Sequence, residues 1–350
     1  MRKIFVFLGV VLTTNVSAVR AQEVDSMAPL QKSSWGDAKK TEVIDYIPDV
    51  SIDMRGSYGH DFITGAGRVY GDGLYLNIDG YISPNFSYSF NHRLASTYYE
   101  DNTGFNGTNW LTLTYETESF SFTAGKDALF VGSFEYDAYD LDSYSEMNSI
   151  FYNMFDCWQW GASAAWYPDD SNSILIQASK SPFHLEDADL FACALGWRSE
   201  YERYESYWTA NLWEYEKGRY VKALNIGNRF HFGNFSCDLE YMTRAADLRN
   251  FFVNDYTALI APSYSFGESV RIFAKWGYER VREEVLFEDF GTNTFYGGGI
   301  EFFPLKDVKD IRLHAVWMSN AFWGNIINVG LTWKMDLTGA AKHLFHISDN

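Results

Sequence analysis

From Ser51 onward the sequence repeats one device: apolar and polar residues alternate with a period of two, in short segments separated by turn residues. Phe86, Tyr88 and Phe90 fall on one face, with Ser87, Ser89, Asn91 and Arg93 on the other. Phe120, Phe122 and Ala124 oppose Ser121 and Thr123. Val270, Ile272, Ala274, Trp276 and Tyr278 oppose Arg271, Lys275 and Glu279, and Ile327, Val329, Leu331 and Trp333 oppose Asn328, Gly330, Thr332 and Lys334. Period two is the mark of a strand with one apolar side. The pattern predicts strands at 50–60, 73–83, 86–95, 108–116, 119–127, 158–167, 174–181, 191–200, 204–215, 220–232, 235–244, 256–264, 269–280, 294–303, 311–319 and 326–335, sixteen in all.

An even number of strands is what a bacterial single-chain membrane barrel requires. The connections also alternate. Short ones fall at 83–85, 117–118, 168–173, 233–234, 265–267 and 304–310, and longer ones at 61–72, 96–107, 128–157, 182–190, 245–255 and 281–293. Two links in the long series, 216–219 and 320–325, are short. Short periplasmic turns and longer external loops give this rhythm. A secreted β-sandwich or an extracellular solenoid would also alternate, since a sandwich buries one face of each sheet. Aromatics near strand ends favour the barrel, because such rings form belts at membrane interfaces. They are Tyr75, Tyr81, Trp110, Trp158, Trp166, Trp197, Trp208, Tyr241, Tyr278 and Trp333, in a chain that is 18% aromatic. The expectation is an all-β fold: a 16-stranded antiparallel transmembrane β-barrel with a long third external loop folded inward.

The first residues, MRKIFVFLGVVLTTNVSAVRA, have a charged start, an apolar core and small residues after it, as a secretory signal peptide does. The domain reading is a signal peptide at 1–21, a periplasmic leader at 22–48, the barrel at 49–336 and a tail at 337–350. An exported barrel belongs in the outer membrane, with membrane lipid around it. The formal charge of −18 argues against nucleic acid as a partner, which needs a basic footprint. Three cysteines are too few for a disulfide framework. Cys193 and Cys237 alternate with apolar neighbours and are expected on the outward face; a bridge between them is the alternative.

The long connection contains residues 129–156, LFVGSFEYDAYDLDSYSEMNSIFYNMFD, with acids at Glu135, Asp137, Asp140, Asp142 and Glu146 and no Lys or Arg. A loop of this length in a compact domain is functional or disordered, and its aromatics offer area for docking. It is expected to narrow the pore. The polar strand faces then give the pore lining: Arg55, Asp79, Arg93, Arg229, Asp238, Glu240, Arg271, Lys275, Glu301 and Arg312, together with Asp53, Glu279, His231 and His314. Basic wall residues facing an acidic loop would set a transverse field, and charged clusters select ions by sign. The excess of acid predicts weak cation preference. No nucleophile motif, Cys-x-x-Cys or metal-ligand series occurs, so neither enzyme activity, metal nor cofactor is assigned.

Residues 74–93, LYLNIDGYISPNFSYSFNHR, residues 123–137, TAGKDALFVGSFEYD, and the ending 328–335, NVGLTWKM, resemble the phosphate-selective porin O/P family of Gram-negative outer membranes. The resemblance implies a sixteen-stranded barrel, commonly a homotrimer, with its third external loop inside the pore. It also implies anion binding through clustered Arg and Lys. The acidic segment, with no base between Lys126 and Lys180, disfavours phosphate-specific uptake here. The function expected is passive diffusion of small hydrophilic solutes or ions. A plugged structural or adhesive barrel is the alternative.

Overall fold

A computed structural model describes residues 46–94, 107–144, 147–183, 189–282, 291–305, 309–321 and 324–345. The signal peptide, nearly all of the leader and Glu146 lie outside the described residues. Sixteen strands are present, at every segment where alternation predicts one. They are β1 Asp49–Asp61, β2 Gly67–Ser83, β3 Phe86–Arg93, β4 Thr108–Glu116, β5 Phe120–Ala128, β6 Trp158–Asp169, β7 Asn172–Lys180 and β8 Phe191–Tyr201. Then follow β9 Tyr204–Glu216, β10 Arg219–Phe232, β11 Phe235–Ala245, β12 Asp255–Phe266, β13 Val270–Val281, β14 Gly291–Phe302, β15 Ile311–Asn320 and β16 Gly324–Asp336. Each pairs antiparallel with its sequence neighbours, and β1 closes on β16 from Ser51↔Asp336 to Asp61↔Ile326. Closure leaves no unpaired edge, which is the condition for a sheet to cross a bilayer.

One predicted boundary is wrong. The long loop at 61–72 shrinks to 62–66, because β2 already starts at Gly67. Gly67, Gly71 and Gly73 carry no side chain and so hide the alternation, and a bulge opposite Arg55 and Gly56 shifts the register there. The turn is held by Asp61, whose carboxylate accepts from Ile63 N at 2.9 Å and Thr64 Oγ1 at 2.7 Å.

The outer face is apolar and unburied by protein. On β7, Ile174 and Ile176 are exposed while Ser173, Gln177 and Ser179 are buried. Leu113, Phe122, Leu195, Leu239, Trp276, Ile300 and Val329 continue the exposed apolar band round the wall. A belt of this extent in water would be a large patch with no partner, and lipid satisfies it. Tyr81, Phe86, Phe120, Trp166, Trp197, Phe232 and Phe266 are exposed near the short turns, where an interface girdle belongs. Two rings assigned to that girdle are elsewhere. Tyr75 is 3% exposed, and Trp110 packs on the Tyr75, Tyr139 and Leu141 cluster. Both pack against residues of the 129–156 segment, Tyr139 and Leu141. All three cysteines are free, so the alternative Cys193–Cys237 bridge is absent. After β16 the chain forms a helix, Leu337–Phe345, for which the sequence reading assigned no structure.

Candidate functional site

Residues 129–156 leave β5 and return at β6. Four short pieces shape them: a tight start at Gly132, helix α1 (Phe134–Asp137), a 3-10 turn at Asp140–Asp142 and helix α2 (Ile150–Met154). Gly132 has φ +76°, and a Cβ there would stand 2.5 Å from Thr209 Oγ1 on β9. A side chain is therefore excluded by both conformation and contact. Ser133 begins α1, its hydroxyl accepting from Glu135 N, and Ser149 begins α2 by accepting from Tyr152 N. These are ordinary N-caps.

The apolar side chains of the segment pack against the wall in several directions. Leu129, Val131, Phe151 and Phe155 join Ala192, Trp213, Val221, Ala223 and Met242 of β8–β11. Phe130 and Phe134 meet Ala165, Leu175 and Tyr207 of β6, β7 and β9. Tyr144 and Met147 meet Val316, Met318 and Ile326 of β15 and β16. Tyr139 and Leu141 meet Tyr75 of β2. The wall partners sit on the face opposite the lipid band. Leu175, Trp213, Val316 and Met318 break the alternation, making both faces of their strands apolar. The adjacent pairs Leu212–Trp213 and Trp317–Met318 are the sequence signal that the pattern reading passed over.

Charge is matched residue by residue. Lys275 Nζ lies 2.6 Å from Glu135 Oε1 and 2.6 Å from Asn148 Oδ1. Arg198 is 3.1 Å from Asp137, and Arg93 is 2.8 Å from Asp140, whose other partner is the Tyr75 hydroxyl at 2.9 Å. Asp142 meets Arg312 at 2.7 Å and Lys334 at 3.4 Å. Arg55 Nη1 donates to the carbonyls of Leu141 at 3.0 Å and Ser143 at 2.6 Å, and Arg312 also donates to Leu141 O. Burial pushes the Asp142 carboxyl up, but Arg312, Lys334 and Arg271 outweigh it and hold the group well below the usual carboxylate range. Asp137 goes the other way: its burial outweighs Arg198 and raises it.

Wall carboxylates serve the backbone of the segment. Glu240 accepts from Ser133 Oγ and, at 3.0 Å, from Glu135 N. Glu279 accepts from Ile150 N at 2.6 Å and from Asn293. Glu301 receives the Tyr144 hydroxyl at 3.1 Å and lies 3.1 Å from Arg271. The remaining predicted wall residues bond within the wall itself. Arg229 bonds Asp238 at 2.7 Å, and Asp79 accepts from Ser89. The alternation places Lys334 on a polar face but does not single it out, and it misses two bases, Arg198 and Arg244. Arg244 is bonded to Asp255 at 2.6 Å and lies 4.3 Å over the Phe151 ring. Among the described residues, no group of three His, Cys, Asp or Glu side chains is arranged to hold a metal ion.

Comparison with known proteins fits this architecture. Residues 65–190 match the family model described as phosphate-selective porin O and P. No curated protein matches the sequence. Among solved structures, the chain is similar to the trimer form of OmpT, an outer membrane protein of Vibrio cholerae. That likeness has 10% identity and a TM-score of 0.56 and covers 82% of this chain and 99% of that one. It is also similar to a substituted Rh. blastica porin, at 11% identity and TM-score 0.56, over 83% of this chain and 100% of that one. At such identities the likeness concerns the fold. The closed sixteen-strand wall with its apolar outer band is that of a transmembrane β-barrel; its fold is similar to that of solved porins, and its residues 65–190 resemble the phosphate-selective porins O and P.

Proposed function

We propose that this barrel is a passive channel, not an enzyme, and that residues 129–156 lie in its lumen and narrow it. Small hydrophilic solutes and ions would cross beside the segment. The observation that carries the reading is the reach of its contacts. One segment bonds Arg93 of β3, Thr209 of β9, Glu240 of β11, Lys275 of β13 and Arg312 of β15. Strands so far apart round a closed wall are all within reach only from inside it. Glu135, Asp137, Asp140 and Asp142 then form the constriction with Arg55, Arg93, Lys275 and Arg312. Because each of these acids meets a base at 2.6–3.1 Å, the constriction carries little net field. Weak ion selectivity follows, and a segment without bases offers no dense positive charge for phosphate. A homotrimer is the assembly we assign, by analogy with the trimer form of the similar V. cholerae protein.

Planar-bilayer recording of the purified protein tests this reading. Stable ohmic steps with a reversal potential near zero in a salt gradient are expected. A second reading, a plugged barrel, is favoured by the apolar clusters on several sides of the segment. Membranes containing the inserted, folded protein but showing no steps would select it and reject the channel.

A further inference from the structure

The helix that follows β16, α3 here after the two in the segment, spans Leu337–Phe345. Its first turn is fastened to the barrel on one side. Gly339 N donates to Asp336 Oδ1 at 2.8 Å. Thr338 Oγ1 donates to Pro48 O at 2.8 Å and accepts from Val50 N at 2.8 Å. An even strand number brings both ends of the wall to one side, so these bonds hold the helix at the short-turn, periplasmic end.

The rest of the helix extends from that clamp with its apolar side uncovered. At roughly 100° per residue, Leu337, Ala340, Ala341, Leu344 and Phe345 share an arc of about 140°. Leu344 is 68% and Phe345 75% exposed. Lys342 and His343 lie to either side of the opposite face. The helix carries no carboxylate, although the whole chain has a formal charge of −18. Nine residues cannot span a bilayer, which takes about 20. They suffice to lie along its surface, apolar arc inward and bases among the headgroups. The level is right as well. The helix starts just past Trp333, at the end of the wall where Phe120, Trp166, Phe232 and Phe266 are exposed on the outer face. Its exposed apolar arc therefore lies at the level of that girdle.

We propose that this helix is an interfacial foot that binds anionic phospholipid in the periplasm-facing leaflet, with Leu337, Leu344 and Phe345 at the acyl boundary and Lys342 and His343 at the phosphates. The test uses the full mature chain with Cys157, Cys193 and Cys237 replaced by Ala and Leu344→Cys carrying an environment-sensitive fluorophore. Phe345→Cys serves as a second labelling site, and Ile63→Cys on the external turn as a reference. Each is reconstituted in phosphatidylethanolamine vesicles with or without phosphatidylglycerol, after heat-modified gel migration has shown the barrel folded. The expected result is blue-shifted emission at 344 or 345, quenched by lipids spin-labelled near the headgroup and more strongly with phosphatidylglycerol. Charge reversal, Lys342→Glu with His343→Glu, should remove the phosphatidylglycerol-dependent part. Water-like emission equal to that at 63 would overturn the proposal. So would blue-shifted emission that lipid quenchers leave untouched, since the helix would then be packed on protein.

Discussion

Replacing Lys275 with Met should release the 129–156 segment from the wall without opening the barrel. Lys275 reaches Glu135 at 2.6 Å with side-chain exposures of only 11% and 4%. Glu135 also accepts from Ser149 N at 3.1 Å and Ser149 Oγ at 2.7 Å, so its carboxylate is committed to the segment. Taking the cation away strands a buried charge, and breaking such a pair on one side costs about 3–5 kcal/mol. At about 1.4 kcal/mol per tenfold, the docked-to-released ratio falls by roughly two to three and a half orders of magnitude. The strands keep every backbone bond, so the wall itself should survive. Chymotrypsin cleavage of the folded protein in micelles reads the released fraction, since the segment is rich in Phe and Tyr. Lys275→Met should be cut far faster than the parent between residues 129 and 156. Adding Glu135→Gln should recover much of the protection, because neither charge then remains. Cleavage within about threefold of the parent, or no recovery in the double variant, would refute the reasoning.

Neutralising the segment by Glu135→Gln, Asp140→Asn and Asp142→Asn together leaves Lys275, Arg93 and Arg312 without their acids; the reversal potential should move towards anion preference, and an unchanged value would remove the segment from the constriction. Gly132→Ala adds a Cβ 2.5 Å from Thr209 Oγ1 at φ +76°, so a loss of about 1–3 kcal/mol in docking is expected and should show in the same cleavage assay. Asp142 has a depressed carboxyl, so its ion pair contributes fully above the unfolded value of about 3.9 and is lost only as pH falls through the lower folded value. Conductance should therefore show no step from this pair between about pH 5 and 8, and a step that Arg312→Leu abolishes would contradict that sign.

The strands were legible because the alternation is a local signal. Each wall residue either faces lipid or does not, and period two records that choice without reference to any other strand. β4 is found at the predicted bounds, and the others within a few residues, except where glycines erase the pattern at the start of β2. The acidic character of 129–156 was equally plain. Its partners were not. Arg198 and Lys334 look like any other wall bases, and they gain their role only because the fold carries Asp137 and Asp142 to them. Tyr75 and Trp110 look like interface rings by position near a strand end, but the segment packs on both, burying Tyr75 and half-burying Trp110.

What the sequence alone determines is therefore the wall: sixteen strands and their two faces, since each follows from neighbours one or two residues apart. What only the tertiary structure decides is how the charges and apolar exceptions meet. Leu175, Trp213 and Met318 look misplaced on polar faces until Phe130, Phe155 and Met147 arrive from more than 40 positions away. Barrel closure brings those residues together, and closure is a property of the whole sheet that no single stretch of the chain encodes.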